Sequence, residues 1–254
     1  MQLSDILPAT IWQILFVFIR VGAATMMLPG FGEAYVPGRM RIIFSMVLTL
    51  LIVPVVLDII PPLPDNPLEL FLIIAGEIAI GVFIGLIAQV LLSTLQTAGT
   101  IIAFMMSLAN ALAFNPATAQ QSSTIGSFLG AVGLLLIFMG DLHHLMLAAV
   151  VDSYTLFIPG QMPPVGDFSE IMTRIVAGSF TVALQFSAPW ILVGLIFYLG
   201  LGLLARLMPQ VQIFFVAIPI QLLIGFALFL PVLALMGFTF LSYYQSTLER
   251  FLAP

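Results

Sequence analysis

The stretch GDLHH supplies Asp141, His143 and His144, the side chains in this chain best suited by type to hold a metal ion or move a proton. A carboxylate and two imidazoles are ligands for borderline transition metals, and histidine is the usual acid–base group near neutral pH. Spacing argues against both roles. Adjacent histidines on a helix point about 100° apart, and the i, i+4 pairing that puts two ligands on one face is missing. These are the only two histidines in the chain. The stretch therefore reads as polar residues at a helix start, with Asp141 near the N-cap, and no metal ligand is assigned. Cysteine is absent, which excludes disulfides, thiolate metal sites and cysteine nucleophiles. Neither a glycine-rich phosphate loop nor a nucleophile elbow occurs. The expectation is a protein without catalytic residues and without a cofactor.

Three further charges stand alone in apolar surroundings: Arg20 in LFVFIRVGAAT, Glu77 in LIIAGEIAIG and Arg206 in GLLARLMPQ. An ionisable side chain within a span is costly enough that pairing or function is its default explanation. The simplest reading is an ion pair between helices, or an arginine head reaching an interface. A proton relay would need more acids than the one glutamate found in the middle of the apolar runs.

The elements that must carry these residues belong to a membrane protein. The chain has 254 residues, 62% hydrophobic and 7% charged, with a mean hydropathy of +1.23, whereas soluble domains are about half apolar and a quarter charged. All six basic residues are arginines dispersed along the sequence, and the net charge is -5, so nucleic-acid binding has no electrostatic support. No Lys or Arg precedes the first apolar stretch and no small-residue cleavage site follows it, so that segment is expected to be retained. No Ser/Gly/Pro-rich linker divides the chain, and a single domain over 1–254 is expected.

Apolar runs of spanning length predict helices near 8–29, 42–60, 68–108, 125–158, 168–207 and 211–246, which gives an all-α protein of about six hydrophobic spans. The stretches Ile175–Ala205 and Leu207–Leu248 carry no charge and are too long for one plain crossing each, so tilt, bends or re-entry are expected. Pro54, Pro189, Pro219 and Pro231 fall inside apolar runs and favour kinks or breaks. Gly76, Gly81 and Gly85, and further on Gly194, Gly200 and Gly202, offer small surfaces for close helix approach. The only loop cluster of positive charge is Arg39 with Arg41, so orientation by positive loops is poorly encoded.

One segment does not fit a plain span. SLANALAFNPATAQQSSTIG, Ser107–Gly126, has loop composition, yet no formally charged residue stands between Glu77 and Asp141. An ordinary loop between two membrane helices has no reason to avoid charge over such a length.

Four stretches carry a family resemblance: RVGAATMMLPGFGEAYVPGRMRIIFSMVL, QVLLSTLQTAGTIIAFMMSLANALAFNP, HHLMLAAVVDSYTLFIPG and LGLGLLARLMPQVQIFFVAIPIQLLIG. Together they resemble the signature blocks of the FliR family of flagellar type III export-gate proteins, which is related to the export-apparatus proteins of virulence secretion systems. The most specific pieces are TAG (Thr97–Gly99), VDSY (Val151–Tyr154) and ARLMPQ (Ala205–Gln210). One departure is visible, Asn115 where the family commonly has Asp before the loop proline.

The resemblance implies bent helical hairpins that assemble with FliP and FliQ homologues into an export gate in the bacterial inner membrane, at the flagellar basal body. Further export-apparatus membrane proteins, lipid and unfolded flagellar proteins as cargo complete the implied partners. It also implies that the loop at about 107–123 is a plug in a central channel. On that reading Leu112 and Phe114 form a hydrophobic constriction that closes by dewetting. Met105 and Met106 adapt in shape beside it; Ala109, Ala111, Ala113 and Ala117 keep the backbone compliant, with Asn110 among them. Asn115 and Pro116 shape the turn. Core packing is the competing explanation for each methionine. Arg20, Glu77 and Arg206 are expected in buried charge or assembly roles. Two other classes stay open: a small-solute secondary transporter, which should show paired halves that do not align here, and a non-gating scaffold subunit, which should tolerate changes in the loop.

Overall fold

The computed structural model describes residues 3–108, 123–163, 165–208 and 213–252. Among them are seven α-helices and no strand: α1 (Leu3–Met27), α2 (Gly38–Val56), α3 (Pro67–Met105), α4 (Thr124–Met139), α5 (Leu142–Leu156), α6 (Val165–Leu207) and α7 (Ile213–Leu252). The all-α expectation holds. Five helices are long and apolar enough to cross a membrane: α1, α2 with the short 3-10 turn after it, α3, α6 and α7. The pair α4 and α5, broken at Gly140–Asp141, makes a sixth candidate span.

Local chemistry sets the helix ends. The Asn66 side chain accepts the Leu68 N–H at 3.0 Å, Pro67 occupies the first position, where no N–H is needed, and Glu69 sits in the first turn. At the far end of α3 the Ser107 N–H reaches back three residues to Phe104 O, and Ser107 has φ 60°, in the left-handed region. Ser123 stands just before α4, its hydroxyl accepting the Gly126 N–H at 3.2 Å. Helix α7 runs past Ser246, where the sequence placed its end. Its last turns are held by a buried Leu248 and by a Gln245 to Glu249 hydrogen bond of 2.8 Å.

Helices α3, α6 and α7 have 39, 43 and 40 residues. At a rise of about 1.5 Å per residue each is roughly 60 Å long, about twice the hydrocarbon thickness of a bilayer. The prolines do not interrupt their helices: Pro54 lies inside α2, Pro189 inside α6, and Pro219 and Pro231 inside α7. One missing N–H bond is tolerated when the apolar turns on either side remain helical. The observed breaks fall instead at Gly140–Asp141 and at the end of α3.

The chain forms two compact units, each built from separated segments. Unit 1 comprises 1–91, 140–175 and 245–254; unit 2 comprises 92–139 and 176–244. In unit 1, α1 and α2 are joined by a 2.6 Å hydrogen bond between the Thr25 and Ser45 hydroxyls, and Phe31 stacks on Phe44 at 4.8 Å. A Cβ on Gly81 would overlap the Arg20 carbonyl oxygen, and one on Gly85 would overlap Met27. Close approach of α1 and α3 therefore rests on these two glycines, as the sequence suggested.

In unit 2 the closest backbone approach was not anticipated. A Cβ on Gly99 would stand 2.6 Å from the Gly126 Cα, while Gly200 and Gly202 have open space. Gly99→Leu should therefore force α3 and α4 apart, at a cost of about 1–3 kcal/mol or more. Gly200→Leu should leave stability nearly unchanged. Thermal unfolding of the detergent-solubilised variants checks both, and equal midpoints would contradict the packing described.

Candidate functional site

The isolated charges Arg20 and Glu77 meet in unit 1. Arg20 Nε donates to Glu77 Oε2 at 2.6 Å and its Nη2 to Oε1 at 3.1 Å, a bidentate pair. Both side chains are shielded, at 0% and 1% exposure. Arg20 Nη1 donates to the Ser153 carbonyl at 3.0 Å and its hydroxyl at 3.3 Å. Both Nη atoms reach Phe157 O at 3.4 Å. Ser153 and Phe157 lie at the C-terminal end of α5, where the dipole favours a cation; Ser153 O also accepts the Phe157 N–H at 2.9 Å, so Arg20 is its second donor. The guanidinium carbon sits 4.2 Å from the centre of the Tyr154 ring.

Glu77 uses its remaining capacity on the next turn. Its Oε1 also accepts the Gly160 N–H at 3.1 Å. Gly160 has φ +79°, and a Cβ there would lie 2.8 Å from Pro61 Cγ, so the turn requires glycine on both counts. One ion pair thus fastens α1, α3, the end of α5 and the turn after it. A buried pair survives only when its leftover donors and acceptors are satisfied, and here the neighbouring backbone satisfies them. Arg206 has no part in this arrangement. It lies exposed in the last turn of α6, where a cation suits the dipole, and among the described residues it makes no ion pair.

The second arrangement lies in unit 2 at the two ends of the uncharged loop. Met106 is 1% exposed and packs on Gly225, where a Cβ would come within 2.6 Å of its side chain. The Met105 sulfur would lie 3.1 Å from a Cβ on Gly194. Gln221 holds the chain just beyond: its Nε2 donates to Met105 O and to the Tyr198 hydroxyl at 3.2 Å. Its Oε1 accepts the Ser107 hydroxyl at 2.8 Å. Trp190 Nε1 donates to Gly225 O at 3.1 Å. The space left among these side chains is about 10 Å³, at the lower limit for holding a water. At the other end the Ser123 hydroxyl donates to Gly99 O at 3.4 Å, and Ser187 donates to Ala98 O at 3.2 Å. The TAG segment thus receives the far root of the loop.

The match to known proteins decides the affiliation. A family model for bacterial export proteins, family 1, matches residues 11–247. This chain belongs to that family. Flagellar biosynthetic protein FliR of Caulobacter vibrioides is 36% identical over 235 residues, 92% of this chain and 94% of the relative. The Bacillus subtilis FliR is 29% identical over 98% of this chain and 95% of its own length. The Escherichia coli FliR is 27% identical over 89% and 84% respectively.

Within this FliR-family chain the structure brings together Arg20 with Glu77, and Met105 with Met106 at the root of the loop. Asn110, Leu112, Phe114, Asn115 and Pro116 lie outside the described residues. The VDSY segment has a physical role: Ser153 accepts from Arg20, and Tyr154 covers it. Sequence reasoning missed Gln221, Tyr198 and Trp190. The available signal was an amide, Gln221, in the long uncharged run from Leu207 to Leu248, where a polar group needs a partner.

The GDLHH stretch departs from expectation. Asp141 does occupy the N-cap position of α5, but with φ 57° and ψ 14°, and its side chain makes no capping bond. The ligand atoms of Asp141, His143 and His144 all lie within 4.8 Å of one another, although His143 and His144 are neighbours on α5.

Proposed function

We propose that this chain is a core subunit of the flagellar type III protein export gate. It assembles with FliP and FliQ homologues in the bacterial inner membrane, at the flagellar basal body, around a channel for unfolded flagellar proteins. Its 107–123 loop is the plug. The observation that carries this reading is an uncharged polar segment, in a FliR-family chain, whose two flanks are each tied into unit 2 by a serine hydroxyl. A plug must exclude water and ions when closed and let chains of arbitrary sequence slide by when open. Fixed charges would wet the closed pore and hold some passengers while repelling others. The Gln221 clasp and the packed methionines give the loop a firm root.

The apolar surface supports assembly. Only 11% of the apolar window of α6 and 11% of that of α7 is buried, against 44% for α3. On α6, Leu192, Leu195, Ile196, Leu199 and Leu203 are all more than 60% exposed at helical spacing, a stripe suited to partner helices. Deleting the gene should abolish motility and secretion of hook and filament proteins, with recovery on re-expression. A tagged FliP homologue should co-purify this chain. Normal secretion in the deletion strain would overturn the proposal, and solute uptake lost with secretion intact would favour a transporter.

A further inference from the structure

We propose that Asp141, His143 and His144 form a binding site for a divalent first-row transition-metal ion of the zinc type. Their ligand atoms lie within 4.8 Å of one another. The two imidazoles, although adjacent in sequence, stand 4.1 Å apart between ring centres at 37°, so both project to one side. The left-handed backbone at Asp141 and the lack of a capping bond from its side chain account for the third ligand. An aspartate at a helix start ordinarily accepts the N–H of the second or third residue. This one makes no such bond, and its carboxylate stands beside the imidazoles.

The donor set selects the ion. Two neutral imidazoles and one carboxylate suit zinc, nickel or copper, whereas magnesium and calcium favour all-oxygen shells. Metal–nitrogen and metal–oxygen distances of about 2.0–2.2 Å place neighbouring ligand atoms of a tetrahedral shell roughly 3.4 Å apart. Side-chain rotation closes the remaining distance: Asp141 and His144 are exposed and His143 is half-buried. Three protein ligands leave a coordination position for water. Occupancy would lock the left-handed turn at the start of α5. This inference concerns a different place in the chain from the loop and does not depend on the gate reading.

The test uses the full chain purified in detergent, freed of any affinity tag and of metal, and titrated calorimetrically with Zn2+. Cobalt substitution reports the ligand geometry by its visible spectrum. One equivalent of Zn2+ should bind and should persist in millimolar Mg2+. Asp141→Asn keeps a side chain that tolerates the left-handed region, so the fold is retained while a charged ligand is lost. Its affinity should fall at least about tenfold, in line with losses caused by weaker perturbations of metal sites. His144→Ala, at an exposed position, should weaken binding further with an unchanged thermal midpoint. Absence of stoichiometric Zn2+ uptake would overturn the site. So would Asp141→Asn binding as tightly as the parent, since only the general affinity of two neighbouring imidazoles would then remain.

Discussion

Glu77→Leu is expected to destabilise unit 1 more than any other single substitution among its described residues. The change removes the carboxylate acceptors of Arg20 Nε and Nη2 and the acceptor of the Gly160 N–H, leaving a fully shielded guanidinium with only neutral acceptors on Ser153 and Phe157. Breaking a buried pair from one side costs about 3–5 kcal/mol, a large part of the roughly 5–15 kcal/mol that holds a typical domain folded. Glu77→Gln retains an acceptor oxygen and should cost less. The double variant Arg20→Leu with Glu77→Leu should recover part of the loss, because no unpaired charge remains. It should not recover all of it, because the Phe157 carbonyl loses the Arg20 donors and the Gly160 N–H loses its acceptor. Folded yield and thermal midpoint of the four proteins in one detergent check this order. A Glu77→Leu midpoint within a degree or two of the parent would show that the pair contributes little.

Much of this arrangement was legible in the sequence, for physical reasons that differ from residue to residue. Arg20 and Glu77 stood out because charge in an apolar run demands an explanation, and pairing was the simplest one. Gly81 and Gly85 were legible as small residues at one-turn spacing. The spans were legible from length and hydropathy, with α7 extended by a turn whose polar side chains pair along the helix. Pattern alone did not reveal that Gly99 faces Gly126, since each looks like any other glycine in an apolar helix until the register of α3 and α4 is known. Gln221 was hidden for the same reason: its clasp closes on residues distant in the chain, Met105, Ser107 and Tyr198. The prolines mark no break in the described helices, because a helix-breaking residue in water is tolerated in a long apolar helix. At GDLHH angular spacing on an ideal helix did not show that the ligand atoms of Asp141, His143 and His144 lie within 4.8 Å of one another.

The second large effect is expected from the loop. Removing Asn110–Gln120 leaves in place the Gln221 clasp at Ser107 and the Ser123 cap of α4, so both roots keep their anchors while the segment between them is shortened. On the proposed reading the shortened loop no longer fills the channel, and a pore lined by apolar and amide groups stays open and wet. The fold of the two units should change little, because the retained side chains make the described contacts. A scaffold subunit would tolerate the same deletion without consequence for ion permeability.

The decisive measurement is therefore ion flux through cells that express this chain with its FliP and FliQ homologues, comparing the intact protein with the Asn110–Gln120 deletion and verifying assembly by co-purification. The account predicts a leak in the deletion, severalfold or more above the intact complex, with the partners still bound. An assembled deletion complex that leaks no more than the parent and sustains normal export would contradict the assignment of this loop as the closure of an export channel.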